Sequence, residues 1–243
     1  MNWTVPPKPA EITEERIIDA ILSGHFPVLS NLPAERQLAY QLGITRPTLR
    51  EALQRLACDG WIEIRQGRPT RVRDYWHEGS LGVLGAIAHR TQHIPENFIP
   101  NLLQVRILLA PAYARLAVEH NPDQVIAITD ASALLEDSSE VYAGFDWQLH
   151  HSLTVASGNP VFTLILNGFR ELYLPMACIY FQACEARLSS RAFYHELEQA
   201  AHQKDPAKAE EITRVVMLDS LRMWELVQKD SFRKQDEEIG SMR

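Results

Sequence analysis

Arg46 and Arg50 stand four residues apart in the stretch TRPTLREALQRLA. On a helix that spacing puts both guanidinium groups on one face. Leu49, Ala52, Leu53 and Leu56 form an apolar stripe on the opposite face. An arginine offers a planar fork of donors that matches guanine O6 and N7 in the major groove. Thr45 and Thr48, at the start of the same helix, can bond phosphate oxygens, assisted by free backbone N–H groups and the helix dipole. Further on, Gln66, Gly67 and Arg68 occupy the tip of a predicted hairpin. Glycine there allows close approach to a minor groove, and arginine reads its width and potential. Arg65, Arg68, Arg71 and Arg73 crowd into nine residues. Surface arginines are usually just solvated. Here the cap, the spacing and the basic hairpin together point to duplex DNA as the partner.

These side chains need elements to hold them. Residues 1–10 contain three prolines and read as a loose arm. A short helix is predicted over 14–23, ended by Gly24. A second helix runs over 34–42, with Leu38 and Leu42 facing inward and Gly43 at its C-terminal end. Thr45 is a good N-cap for the third helix, Pro47 fits its first turn, and Gly60 closes it. Residues 61–65 and 70–73 alternate like two strands, joined by a turn at Gln66-Gly67. Trp61 reads as a packing residue at the base of that hairpin. The order is that of a winged helix-turn-helix domain over 1–76.

Residues 77–81 read as a linker. All that follows has helical periodicity, near 82–91, 96–119, 123–136, 140–157, 161–183, 190–203 and 206–229. Asn121-Pro122, Asn159-Pro160 and Asp205-Pro206 each put a capping side chain before a helix-starting proline. Pro111 and Pro175 are predicted to kink or interrupt their helices. A charged tail covers 230–243. The fold class expected is mainly α: the winged domain, then an all-α bundle over 82–229 serving as effector domain. Apolar helical faces of that extent can enclose an apolar ligand or simply form a packed core.

The 243 residues, 46% hydrophobic and 23% charged, suit a globular chain and exclude disordered or collagen-like classes. No apolar run is long enough for a transmembrane helix, and the N-terminus lacks a signal-peptide pattern, so no membrane association is expected. The three cysteines are widely spaced with no CxxC, which fits a reduced cytoplasmic setting. The net charge is −7, but unevenly spread. Residues 1–76 carry ten Lys and Arg against nine Asp and Glu, and residues 77–243 carry fourteen against twenty-two. The basic patch therefore sits on an otherwise acidic chain. No nucleophile elbow, phosphate loop, HExxH or evident acid–base pair is present, so the chain is expected not to be an enzyme.

The stretch LPAERQLAYQLGITRPTLREALQRLACDGWIEIRQGRPT resembles the winged helix of GntR-type bacterial regulators. NLLQVR (101–106), ASGNPVF (156–162), LILNG (164–168), IYF (179–181) and FYH (193–195) resemble the FadR-type fatty-acid regulators within that family. The resemblance implies DNA contacts at Arg36, Thr45, Arg46, Thr48, Arg50, Gln66, Gly67 and Arg68. It implies a long-chain fatty acyl-CoA effector, no resident cofactor, and release of DNA on binding the effector. Ser220 and Trp224 match ligand positions, and so do Asn101, Arg106, Tyr180, Phe181, Tyr194 and Arg214. Arg106 and Arg214 are expected to meet anionic groups of the CoA head, and the aromatic residues to line the acyl channel. Met217 stands where such regulators carry glycine. A homodimer on a palindromic operator is implied, with Trp3 and Ile17 as candidate contacts. Repression of fatty acid degradation and activation of unsaturated fatty acid synthesis follow from the same resemblance. An alternative within the family is a metal-bound organic or sugar acid, with Asp146, His150 and His195 as ligands.

Overall fold

A computed structural model describes residues 6–88 and 97–241, with side chains to 87 in the first stretch and to 226 in the second. Backbone contacts divide the chain into two compact units, Met1–Ile94 and Pro95–Arg243.

In the first unit, α1 (Pro9–Leu22), α2 (Glu35–Leu42) and α3 (Arg46–Asp59) precede a hairpin of β1 (Ile62–Glu63) and β2 (Arg71–Val72). A short turn of helix, α4 (Tyr75–Glu78), and then α5 (Leu81–Ala88) complete it. Helix α1 begins earlier than the proline-rich arm suggested. Pro9 takes a first-turn position, where its missing N–H is no loss, and the Glu11 carboxylate accepts the Lys8 N–H at 2.9 Å. Ile17, Ile18 and Ile21 of α1 are buried with Leu49, Leu53 and Leu56 of α3, along which α1 packs. The hairpin is antiparallel, with Ile62 opposite Val72 and Glu63 opposite Arg71. Residues 29–32 add a further edge to it that the sequence reading missed. Leu29 N–H donates to Val72 O, Leu32 N–H to Thr70 O, and Asn31 bridges to Arg71.

Glycine is required at the end of α3. Gly60 has φ +93°, and a Cβ there would lie 2.9 Å from Gly79 Cα. A Cβ on Gly79 would lie 2.3 Å from Tyr75 O. Ser80 N–H also donates to Asp59 O. The expected linker at 77–81 is therefore partly helical and packed against α3, because small residues let the backbones approach. The first compact unit accordingly extends past it, to residue 94.

The second unit holds α6 (Phe98–His120), α7 (Pro122–Asp130), a 3₁₀ turn at Ala131–Leu134, and α8 (Ser139–Ala156). It continues with α9 (Pro160–Gly168), α10 (Arg170–Tyr180), α11 (Cys184–His202) and α12 (Pro206–Ser241). The helix predicted over 161–183 is broken at Phe169 and ends at Tyr180. Helices α6 and α10 continue through Pro111 and Pro175. Two of the three predicted caps form: Asn159 Oδ1 accepts from Val161 N–H, and Asp205 Oδ1 from Lys208 N–H. Asn121 instead donates to Ala156 O, which ties the α6–α7 corner to the end of α8. Ala110, Ala114 and Ala117 give α6 a flat buried face, along which α12 packs. The helical end predicted at 89–91, the start predicted at 96 and the dimer candidate Trp3 lie outside the described residues. No helix among the described residues is long and apolar enough to cross a membrane.

Candidate DNA face and ligand cavity

Helix α3 is built as its sequence demands. Thr45 Oγ1 accepts from Thr48 N–H, Gly43 turns with φ +69°, and Ile44 N–H returns to Ala39 O. This tight corner sets α3 against α2. Leu49, Ala52, Leu53 and Leu56 are buried, which leaves Arg46 and Arg50 on the outside with side chains 56% and 59% exposed. The two guanidiniums are not free, because Glu35 of α2 holds both. Its Oε2 lies 2.8 Å from Arg50 Nε and 3.6 Å from Arg46 Nη2. Glu35 lies within LPAERQLA, where sequence alone assigns it no role. Arg36 is exposed on the same helix, and the Thr45 and Thr48 hydroxyls bond to each other at 2.9 Å. At the hairpin tip Gln66, Gly67 and Arg68 are all exposed, and Gly67 takes φ +71°. Trp61 is fully buried against Tyr75 at 4.8 Å between ring centroids, as a packing residue should be.

The helical unit contains a cavity of about 60 Å³. Its apolar walls include Ile99, Leu102 and Leu103 of α6, Met176 of α10, and Met217 and Trp224 of α12. Five ligand candidates lie on the walls: Arg106, Tyr180, Phe181, Ser220 and Trp224. Tyr180 Oη donates to Ser220 Oγ at 3.3 Å, and the Trp224 Nε1–H is buried without a hydrogen-bond partner. The other three candidates stand elsewhere. Asn101 is exposed on α6, and Arg214 is exposed and paired with Glu210 at 2.7 Å. The outward faces of α6 and α12 carry these two, so neither reaches the cavity. Tyr194 is buried and donates to Asp146 Oδ1 at 2.9 Å.

Asp146 is the hub of a buried polar network that spacing alone did not reveal. Tyr173 Oη donates to its Oδ2, and Arg106 Nη2 lies 3.7 Å from the same oxygen. Arg106 also donates to Tyr173 Oη at 3.1 Å. Burial works against the Arg106 cation, but Tyr173 and Asp146 outweigh it and hold its pKa above the usual arginine value. Burial and the neighbouring carboxylate push the Tyr173 and Tyr194 hydroxyls well above the ordinary tyrosine range. Arg106, expected to meet the CoA head group, lies on the cavity wall with its charge in an internal ion pair.

The metal candidates do not assemble. His150 Nε2 lies 3.8 Å from Asp146 Oδ1, and its Nδ1 is bonded to Tyr113 Oη at 2.8 Å. His195 is exposed and bonded to Gln199. It sits on the outer face of α11, whereas Tyr194 beside it points inward. Among the described residues no group of His, Cys, Asp and Glu is placed to hold a metal ion.

Residues 9–72 match the family model for bacterial regulatory proteins of the gntR family, and residues 73–235 match the FadR C-terminal domain. A fatty acid metabolism regulator protein of Shewanella frigidimarina is 40% identical over 91% of this chain and 93% of its own length. A protein of the same name from Shewanella baltica is 42% identical over 89% of this chain and 91% of its own. A solved structure described as Lar, which controls expression of the Listeria monocytogenes agr system, shares the fold with a TM-score of 0.61. It is 14% identical and covers 90% of this chain and 98% of that one. The exposed arginine face on a capped helix, the adjoining hairpin and these matches lead to one conclusion: the chain belongs to the GntR family of bacterial regulatory proteins and carries a FadR C-terminal domain.

Proposed function

We propose that this chain is a transcription regulator of fatty acid metabolism that leaves its operator when long-chain fatty acyl-CoA enters the helical unit. The observation that carries this reading is the cavity, whose walls are mostly apolar and whose polar wall groups include a buried ion pair. The names of the curated relatives supply the metabolic field. Arg46 and Arg50 read bases in the major groove, and Arg36, Thr45 and Thr48 take phosphates or neighbouring groups. Gln66, Gly67 and Arg68 enter the minor groove.

Each buried methylene of an acyl chain contributes about 0.8 kcal/mol. Sites for ligands of drug size commonly enclose about 300–1,000 Å³, far more than this cavity does. Entry of a long chain therefore moves the walls, and Arg106, Asp146 and Tyr173 are among the walls. Ser220 and Trp224, one turn apart on α12, offer a hydroxyl and an unused indole N–H to the ligand. The chain acts as a homodimer on a palindromic operator in the cytoplasm, without a resident cofactor and without catalysing a reaction. The ligand works by binding more tightly to the arrangement that fits DNA poorly. The regulator represses genes of fatty acid degradation and activates those of unsaturated fatty acid synthesis.

The test is fluorescence anisotropy on a duplex selected by the protein from random sequence, titrated with oleoyl-CoA with and without chelator. Release at both chelator settings is the expected result. A duplex that stays bound at saturating oleoyl-CoA, or release only with metal present, overturns the reading.

A further inference from the structure

One carboxylate holds both arginines of the recognition helix. Glu35 opens α2, and its Oε2 contacts Arg50 Nε at 2.8 Å and Arg46 Nη2 at 3.6 Å. All three side chains are partly open to solvent, Glu35 at 32%. Exposed ion pairs of this kind contribute at most about 1 kcal/mol to stability. The ion pairs and the helix dipole are only modest folding reasons for an acidic group on a face that must approach phosphates. The geometry gives a different one. Arg50 spends its Nε–H on Glu35, which fixes the guanidinium plane and leaves the terminal Nη groups free. Those are the groups that fork onto guanine O6 and N7.

We propose that Glu35 is a specificity-determining residue: it suppresses loose binding of Arg46 and Arg50 to phosphates while leaving the terminal nitrogens of Arg50 able to read guanine. This rests on the reading of the two arginines as base contacts. On arbitrary sequence, affinity comes from arginines that neutralise phosphates and release counterions. Two arginines whose combined charge is halved by Glu35 gain less from that exchange, and the carboxylate is repelled by the backbone. At a matching guanine, Arg50 pairs through its terminal nitrogens without leaving Glu35. The carboxylate thus acts against the wrong partner more than against the right one, which widens the gap between them.

The experiment uses the full chain, with Glu35→Gln as a near-isosteric variant and Glu35→Ala as a second. Wild type first selects a sequence from a random duplex library. Kd is then measured for that duplex and a scrambled one, from about 50 to 200 mM salt. Glu51→Gln is the control for simple loss of a nearby negative charge, since Glu51 pairs with Arg55 instead. Both Glu35 variants are expected to bind scrambled DNA about tenfold tighter at low salt, with a salt slope steeper by about one to two. The selected-to-scrambled ratio is expected to fall by a similar factor, with melting temperature unchanged. A ratio and slope equal to wild type, or an equal effect from Glu51→Gln, overturns the role of Glu35. A wild-type chain that enriches no sequence overturns the base-contact reading itself and this role with it.

Discussion

The Tyr113 hydroxyl lies 2.8 Å from Nδ1 of His150, and both side chains are enclosed in the helical unit. The ring's other nitrogen has no hydrogen-bond partner. With Tyr113 donating, that nitrogen carries the proton and faces Asp146 at 3.8 Å, beyond bonding distance. His150→Phe removes the acceptor and strands the Tyr113 hydroxyl. A stranded buried donor costs about 1–3 kcal/mol. Urea unfolding is expected to show that loss, and the double variant with Tyr113→Phe is expected to recover most of it.

The same histidine sets a pH dependence. Burial holds its pKa down at about 4, against an ordinary 6.5, although the Asp146 charge opposes that shift. The folded state therefore binds fewer protons than the unfolded state between those two values. Stability is complete above pH 6.5 and declines as pH falls toward 4, by about 3 kcal/mol from this group. Chemical denaturation across that range measures the slope, and His150→Phe is expected to flatten it. An equal slope in the variant assigns the effect to other groups.

Arg106 is the only cation within ion-pair distance of Asp146 among the described residues, because His150, at 3.8 Å, is held neutral by burial. Arg106→Met leaves a buried carboxylate without its counter-charge. Breaking a buried pair in this way costs about 3–5 kcal/mol. Adding Asp146→Asn to the same chain removes the stranded charge, so the double variant is expected to unfold at higher urea than Arg106→Met alone.

Met217 is buried and forms part of the cavity wall. Met217→Ala deletes side-chain volume beside Ser220 and Val216 and lengthens the space available to a chain. The expected cost is about 2–5 kcal/mol of stability. In DNA-release titrations with acyl-CoAs of increasing length, the optimum is expected to move to longer chains. An unmoved optimum places the chain terminus elsewhere.

Arg46 and Arg50 share one exposed face, and Arg68 stands at the hairpin tip. Alanine at both helix positions is expected to cost about 1–3 kcal/mol per lost guanine contact. Preference for the selected duplex is expected to relax as well. Arg68→Ala is expected to weaken binding with less change in preference. Electrophoretic or anisotropy titrations on selected and scrambled duplexes separate these outcomes. A double variant that binds as wild type contradicts the recognition-helix assignment.

The DNA-binding half was largely legible because its signals are local. Thr45, Pro47 and Gly60 state where α3 begins and ends, and the leucine stripe states which side is buried. The strand edge at residues 29–32 was not legible, because Leu29 and Asn31 pair with residues some forty positions away. The helical half is harder for the same reason. Asp146, Tyr173 and Tyr194 come from three helices, and no spacing in the chain foretells that their polar atoms converge. Asn101 and Arg214 carried suitable chemistry but point outward, which periodicity over long helices such as α6 and α12 leaves ambiguous. Glu35 was overlooked because an acidic residue opening a helix already has an ordinary explanation in the dipole.

The seam where Gly60 abuts Gly79 has a consequence for how the arginines are aimed. No side chain fits between these backbones, so the rear end of α3 is seated without slack against the chain that follows the hairpin. The pointing direction of the front end is thereby set some twenty ångströms behind it, about the length of a fourteen-residue helix. A single methyl added at Gly60 would press on the Gly79 backbone and tilt the whole rod from its heel, blunting DNA reading from the end opposite the arginines.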